Sequence, residues 1–234
     1  IIMAKTVLKA NNISIVFGGL KAVDNFSIEI KEGEMNASAW EPIASLAYLV
    51  NETSAETFAE QVSSVMDQES AVRMWLFMQI ITGHDQRAKN VYYVAKKEKE
   101  DYRFYFAPWD MDLTFGNVSV GEVNPLYTAF EAETFDDDIP WETADRLIFS
   151  NVNGAAEQMQ QYYRELRQEV LSDENLEERI TALDRLLRKS GAYQRDWERW
   201  PEGAHTRDCE TLIDYAKKRM EFLDQALFDL ENYD

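Results

Sequence analysis

Cysteine and histidine are nearly absent from this chain. It has 234 residues, one cysteine (Cys209) and two histidines. No intrachain disulfide can form, and too few thiols and imidazoles exist for a Cys- or His-built zinc site. No apolar run approaches the length of a membrane-spanning helix, so membrane insertion is not expected. Ile1-Ile2-Met3-Ala4-Lys5 gives way to polar residues too soon for a secretion signal, so an exported parent would carry its signal elsewhere. Basic residues are scarce: 24 Lys and Arg stand against 43 Asp and Glu, for a net charge of -19 and a pI near 4.5. Such a surface repels nucleic-acid phosphates and anionic lipid, and it tolerates ATP only where metal ions screen the phosphates. The P-loop pattern G-x-x-x-x-G-K-[ST] is missing, and with it the backbone cradle for phosphate that it builds. There is no internal repeat and no low-complexity tract.

What is present is a core. Hydrophobic residues make up 45% and aromatics 12%, enough for one large domain or two small ones. The first 34 residues read as two strands, Val7 to Phe17 and Phe26 to Ile30, around a Gly18-Gly19 turn. From about residue 36 the pattern turns helical. Thr53-Ser54-Ala55-Glu56 is a capping-box pattern ahead of Phe58, Val62 and Val65 on one face. Asp67 can cap a helix carrying Val72, Trp75, Leu76 and Ile80 on one side, with Met74, Phe77, Met78 and Ile81 filling much of the rest. A helix apolar nearly all round is buried, and Gly83 is placed to end it. Val91 to Val94 and Tyr102 to Phe106 predict a hairpin around Lys96 to Asp101. Residues 117–153 read as loop, with the acidic run Asp136-Asp137-Asp138. Helices are expected over 155–171, 175–189 (Leu176, Ile180, Leu183 and Leu187 in register) and 207–231.

Chemistry concentrates in two stretches. One is Gly83-His84-Asp85-Gln86-Arg87-Ala88-Lys89-Asn90. The other is Ala107-Pro108-Trp109-Asp110-Met111-Asp112-Leu113-Thr114-Phe115-Gly116. The predicted hairpin returns the chain so that Asn90 and Asp110 lie at the same end. A carboxylate can orient and deprotonate a hydroxyl, and an amide oxygen with a second carboxylate suits Mg²⁺. An Asp, an Asn, a hairpin and then Asp before Gly is the order used by phosphoryl-transfer sites of the protein-kinase type. Asp85 is the candidate proton acceptor; Asn90, Asp110 and Asp112 are candidate metal ligands. Asp110 and Asp112 would share a face if the backbone is extended, and either could instead pair with Arg87 or Lys89. The bland alternatives are a turn Asp and an Asn that fix their loops through backbone bonds. His84 reads as structural, and Trp109 and Phe115 as apolar anchors in the core.

Pro108, Trp109, Asp110, Asp112, Phe115 and Gly116, with the Asp85 to Asn90 segment before them, resemble the core of the CotH kinase family, the spore-coat-type atypical kinases. The similarity extends through Tyr162-Tyr163 and the Asp196 to Trp200 run to the Arg219 helix. The resemblance implies an α+β, mainly helical fold. Residues 36–234 would form a kinase-like C-lobe with a small site-bearing β-hairpin, and residues 1–35 an N-terminal β-hairpin appendage. It implies ATP and Mg²⁺ as cofactors, a protein substrate bearing Ser or Thr, and a spore-coat or extracellular location. Residues 1–34 separately resemble the start of an ABC-transporter ATP-binding subunit of the branched-chain amino-acid type. In that family Phe17 would stack on adenine; a hairpin covering apolar surface is the favoured reading of Phe17. Lys5, Lys9 and Lys21 are available cations, but no pattern marks one as the nucleotide lysine. Low activity is therefore expected of this chain alone. The competing function is non-enzymatic: an acidic helical scaffold whose Asp pair is structural or binds Ca²⁺.

Overall fold

A computed structural model describes residues 6–17, 20–31, 40–83, 90–98, 101–116, 142–201 and 209–230. The chain divides into two compact units, Ile1–Ala44 and Ser45–Asp234. In the first, β1 (Thr6–Phe17) pairs antiparallel with β2 (Leu20–Lys31), with register shifts along the ladder. β2 starts well before the Phe26 expected from alternation, because the bulges let the strand continue through Val23-Asp24-Asn25. The Phe17 side chain and the Gly18-Gly19 turn lie outside the described residues.

The second unit is built on helices, so the fold is α+β and mainly helical. Helix α1 (Glu41–Glu52) leads to α2 (Ala55–Val65) and α3 (Gln68–Ile81). The cap of α2 is one residue later than the capping-box pattern suggests: Ser54, not Thr53, accepts from the Thr57 amide at 3.2 Å. Thr53 instead donates to the Leu49 carbonyl at 2.6 Å, closing the end of α1. Asp67 caps α3 as its sequence position implies, accepting from the Ser70 amide at 2.8 Å.

Helix α3 is the centre of the core. Ala71, Val72, Met74, Trp75, Leu76 and Met78 are among its buried residues. The Trp75 indole donates to Asp145 at 2.6 Å and meets Phe149 edge-on. β3 (Val91–Glu98) and β4 (Asp101–Pro108) form the second two-stranded sheet, in register from Val91↔Pro108 to Glu98↔Asp101. β4 docks on the first turn of α3. Phe104 and Phe106 are buried, the Phe104 carbonyl accepts from the Asp67 amide, and the Phe106 amide donates to Ser70 Oγ at 2.8 Å.

Part of the stretch read as loop is helix: α4 spans Glu142–Phe149. It is only eight residues long, too short to show a full helical pattern, and Ala144, Leu147 and Ile148 are fully buried against neighbours the sequence does not name. Then follow α5 (Ala155–Gln168), α6 (Asp173–Lys189), α7 (Ala192–Arg199) and α8 (Cys209–Ala226). α6 begins two residues before expectation because Ser172 caps it. Leu183 was expected on the packed face of α6 and is 55% exposed, because the polar Asp184 takes the inward place and binds Arg188 and Tyr193. Residues 117–141, with the Asp136 to Asp138 run, lie outside the described residues.

One side chain closes the end of α1. Arg146 of α4 donates to the carbonyls of Leu49, Val50 and Thr53 and stacks over the Phe58 ring. These are the carbonyls a helix end leaves without partners. Arg146→Met keeps most of the stem and removes those bonds. It is expected to cost about 2–3 kcal/mol, read as a lower urea midpoint with unchanged slope.

Candidate functional site

The hairpin register sets the site. Val91 pairs with Pro108, so the residues just outside, Asn90 and Trp109, face each other across the open end. The Trp109 amide donates to the Asn90 carbonyl at 2.9 Å. The Asn90 side chain, 7% exposed, donates to the Asp110 carbonyl at 3.4 Å. Only the amide NH₂ can donate to a carbonyl, so the nitrogen end of Asn90 is committed to this contact and its oxygen is the end offered elsewhere. Two residues twenty positions apart are thus joined side chain to backbone.

Asp110 is not extended: its φ is 54°. The premise that Asp110 and Asp112 share one face of a strand therefore fails, because a left-handed residue turns the chain between them. Both carboxylate residues are exposed. Trp109 is not in the core either; it is 56% exposed and packs against Tyr92, with ring centroids 5.3 Å apart. Phe115 is half-buried. Asp85, His84, Arg87 and Lys89 lie outside the described residues.

The other border of the site is the end of α3. Its last turn closes with the Thr82 amide on the Gln79 carbonyl and the Gly83 amide on the Met78 carbonyl. This is the Schellman arrangement, but the left-handed residue is Thr82, at φ 52°, and not the glycine that follows. From there the Ile81 carbonyl accepts from the Phe115 amide at 2.7 Å, tying the 109–116 loop to α3. Phe115 itself has φ 49° and Gly116 has φ 84°. Among the described residues, six that are not glycine have positive φ; three are asparagines, which tolerate it. The other three, Thr82, Asp110 and Phe115, all sit here.

Sequence reasoning missed what supports these turns. Tyr215 of α8 is 2% exposed and places its hydroxyl 3.3 Å from Thr82 Oγ1. Burial pushes the Tyr215 phenol up, against smaller opposing effects of Thr82 and Arg219, so it is a neutral donor at physiological pH. One turn on, Arg219 is 1% exposed; its Nε donates to the Gln79 carbonyl at 2.7 Å and a terminal nitrogen to Gln79 Oε1 at 3.3 Å. A cation at a helix C-terminus is favourably placed. The signal was available. An Arg four residues after a Tyr, on a helix face with Met220 and Leu223, has to find a buried partner.

A family model described as CotH kinase protein matches residues 8–223. The chain belongs to the CotH kinase family. The match takes in most of the N-terminal hairpin as well, and nothing supports the likeness of residues 1–34 to an ABC-transporter subunit. No curated protein and no solved structure matched the chain. Membership brings an atypical kinase-like function, with ATP and a divalent cation in general terms.

The donor chemistry fits such a cation. An amide oxygen and two carboxylates are hard ligands of the kind a divalent cation takes. Among the described residues no three Asp, Glu, His or Cys side chains converge to hold a metal. A sparse protein shell is the usual one for Mg²⁺, which binds through one or two carboxylates and the substrate phosphates. Among the described residues, too, no helix is long and apolar enough to cross a membrane.

Gly116 tests the tightness of this corner. A Cβ built there would lie 2.8 Å from Tyr215 Cε2, and the left-handed backbone adds its own penalty. Gly116→Ala is expected to destabilise the fold by about 2–4 kcal/mol, the sum of a left-handed non-glycine and an overpacked contact. Thermal unfolding of the two proteins checks it.

Proposed function

We propose that this chain transfers the γ-phosphoryl group of ATP to Ser or Thr hydroxyls of a coat or secreted protein, with residues 36–234 acting as the C-lobe. The observation that carries the reading is the contact of Asn90 with Asp110 at the open end of the hairpin, inside a chain of the CotH kinase family. Asp85 has the role of orienting the attacking hydroxyl and accepting its proton. The new bond forms between that hydroxyl oxygen and the γ-phosphorus. The bond from the γ-phosphorus to the β–γ bridging oxygen breaks, and ADP leaves. Asn90 and Asp110, with Asp112 beside them, would hold Mg²⁺. When bound, that ion supplies charge neutralisation for the phosphate oxygens.

The chain's own contribution is position. Phosphoryl transfer requires little covalent work from the protein and depends on alignment and electrostatics. The committed nitrogen of Asn90 and the turn at Asp110 favour two oxygen ligands presented from one rigid corner. A strongly acidic protein needs that cation to hold ATP at all, since its net charge of -19 opposes the nucleotide.

The test is Mg²⁺-dependent incorporation of labelled phosphate from ATP by the whole chain, with Asp85→Ala and Asp110→Ala as variants. Incorporation is expected to fall about 10²-fold or more for Asp85→Ala, the scale of a lost general base, and to background for Asp110→Ala. Equal incorporation in wild type and both variants removes the assignment.

A further inference from the structure

Backbone held in left-handed conformations by Thr, Asp and Phe needs something to hold it. The penalty is about 1–2 kcal/mol at each such residue, and it persists only where the surroundings over-determine the turn. At this corner three separate pieces of backbone converge. The end of α3 contributes Ile81 and Thr82, the loop after β4 contributes Phe115 and Gly116, and α8 contributes one side chain that touches both.

That side chain is Tyr215. Thr82 Oγ1 has a single proton, and it goes to the Ile81 carbonyl at 2.6 Å. Thr82 Oγ1 is therefore the acceptor of the Tyr215 hydroxyl at 3.3 Å. The Tyr215 ring lies against Gly116 so closely that a methyl group would not fit between them. The hydroxyl end thus meets the end of α3, and the ring edge meets the end of the 109–116 segment that carries Asp110 and Asp112. Arg219, one turn further on α8, bonds the Gln79 carbonyl and prevents α8 from sliding along α3.

We propose that Tyr215 is a positioning residue for the candidate cation site, holding the 109–116 segment that carries Asp110 and Asp112 against the end of α3 through Thr82 and Gly116. The proposal rests on the phosphotransfer reading of those two residues. Tyr215 touches neither ATP nor the ion in this scheme. It acts by keeping the segment that bears the carboxylates fixed on the end of α3, as groups that support a metal's ligands do.

The experiment uses the whole chain as wild type, Tyr215→Phe and Thr82→Val. Tyr215→Phe keeps the ring under Gly116 and deletes the hydroxyl. Thr82→Val deletes the acceptor and keeps a β-branched residue in the same turn, so it reports even if one variant folds poorly. Two readouts are taken. Free Mn²⁺ is followed by its electron paramagnetic resonance signal, and amide exchange by NMR at Gly83, Phe115 and, as a control, Met66, which bonds to Val62 inside the core. Each single variant is expected to weaken Mn²⁺ binding about tenfold, and the double variant no more than that, because both remove one bond. Gly83 and Phe115 are expected to exchange faster, with Met66 unchanged, and melting to fall by only about 2–4 °C.

Wild-type Mn²⁺ affinity in both variants, or wild-type exchange at either Gly83 or Phe115, overturns the positioning role. No Mn²⁺ binding by the wild type overturns the phosphotransfer reading instead, and exchange alone then decides whether Tyr215 couples the end of α3 to the 109–116 segment.

Discussion

Helix α3 is a rigid rod of fourteen residues, about 21 Å long at 1.5 Å per residue. Both of its ends are tied to the loops that matter. Its first turn receives β4 through Asp67 and Ser70, and its last turn receives Phe115 through the Ile81 carbonyl. The chain from Phe104 to Phe115 therefore runs the length of one buried helix. Hydrophobic burial holds that helix in place, and hydrogen bonds at its two ends set where the hairpin and the 109–116 loop sit. If α3 were displaced, Asn90 and Asp110 would move with β3 and β4, and the Phe115 contact would break.

The division of labour between apolar packing and polar contacts is consistent along the site. Val72, Trp75 and Leu76 supply burial, with the Trp75 indole bond to Asp145 as a directional contact. Register is helped by a few polar links: the Asn90 amide to Asp110, Tyr215 to Thr82, and Arg219 to Gln79. A buried guanidinium is costly unless its donors are met, so Arg219 acts as a constraint on how α8 meets the end of α3. The left-handed turns at Thr82, Asp110 and Phe115 store part of the stability won by packing. Strain of this kind clusters where a protein must hold a group in one place.

The CotH kinase family match and the corner geometry bear on different questions. The family reaches from residue 8 to residue 223 and speaks to the class of chemistry. The corner shows how a mostly helical, acidic chain can join a side-chain amide to a backbone carbonyl from segments twenty positions apart. Acidity bears on the same physics: with 43 acidic residues against 24 basic ones, bound cations would ease the approach of a polyphosphate.

Much of this was legible in the residues themselves. The all-round apolar pattern of α3, the Asp67 cap, the β3–β4 hairpin and the nearness of Asn90 to Asp110 follow from periodicity, capping chemistry and a hairpin's geometry, all of which are local. What escaped was non-local. α4 is only eight residues long, too short to announce itself by periodicity, and its Ala144, Leu147 and Ile148 find a buried face. Trp109 looks like core and lies at the surface on Tyr92, because the last pair of a two-stranded ribbon has no third layer to enter. Gly83 looks like the residue that ends α3, yet Thr82 takes the left-handed place. Its Oγ1 accepts from Tyr215, a tyrosine 133 positions away that no local pattern announces. Sequence determines which segments become helices, strands and caps, since those depend on neighbours along the chain. Only the folded chain decides which turn bears strain, since that depends on a partner brought in from another helix.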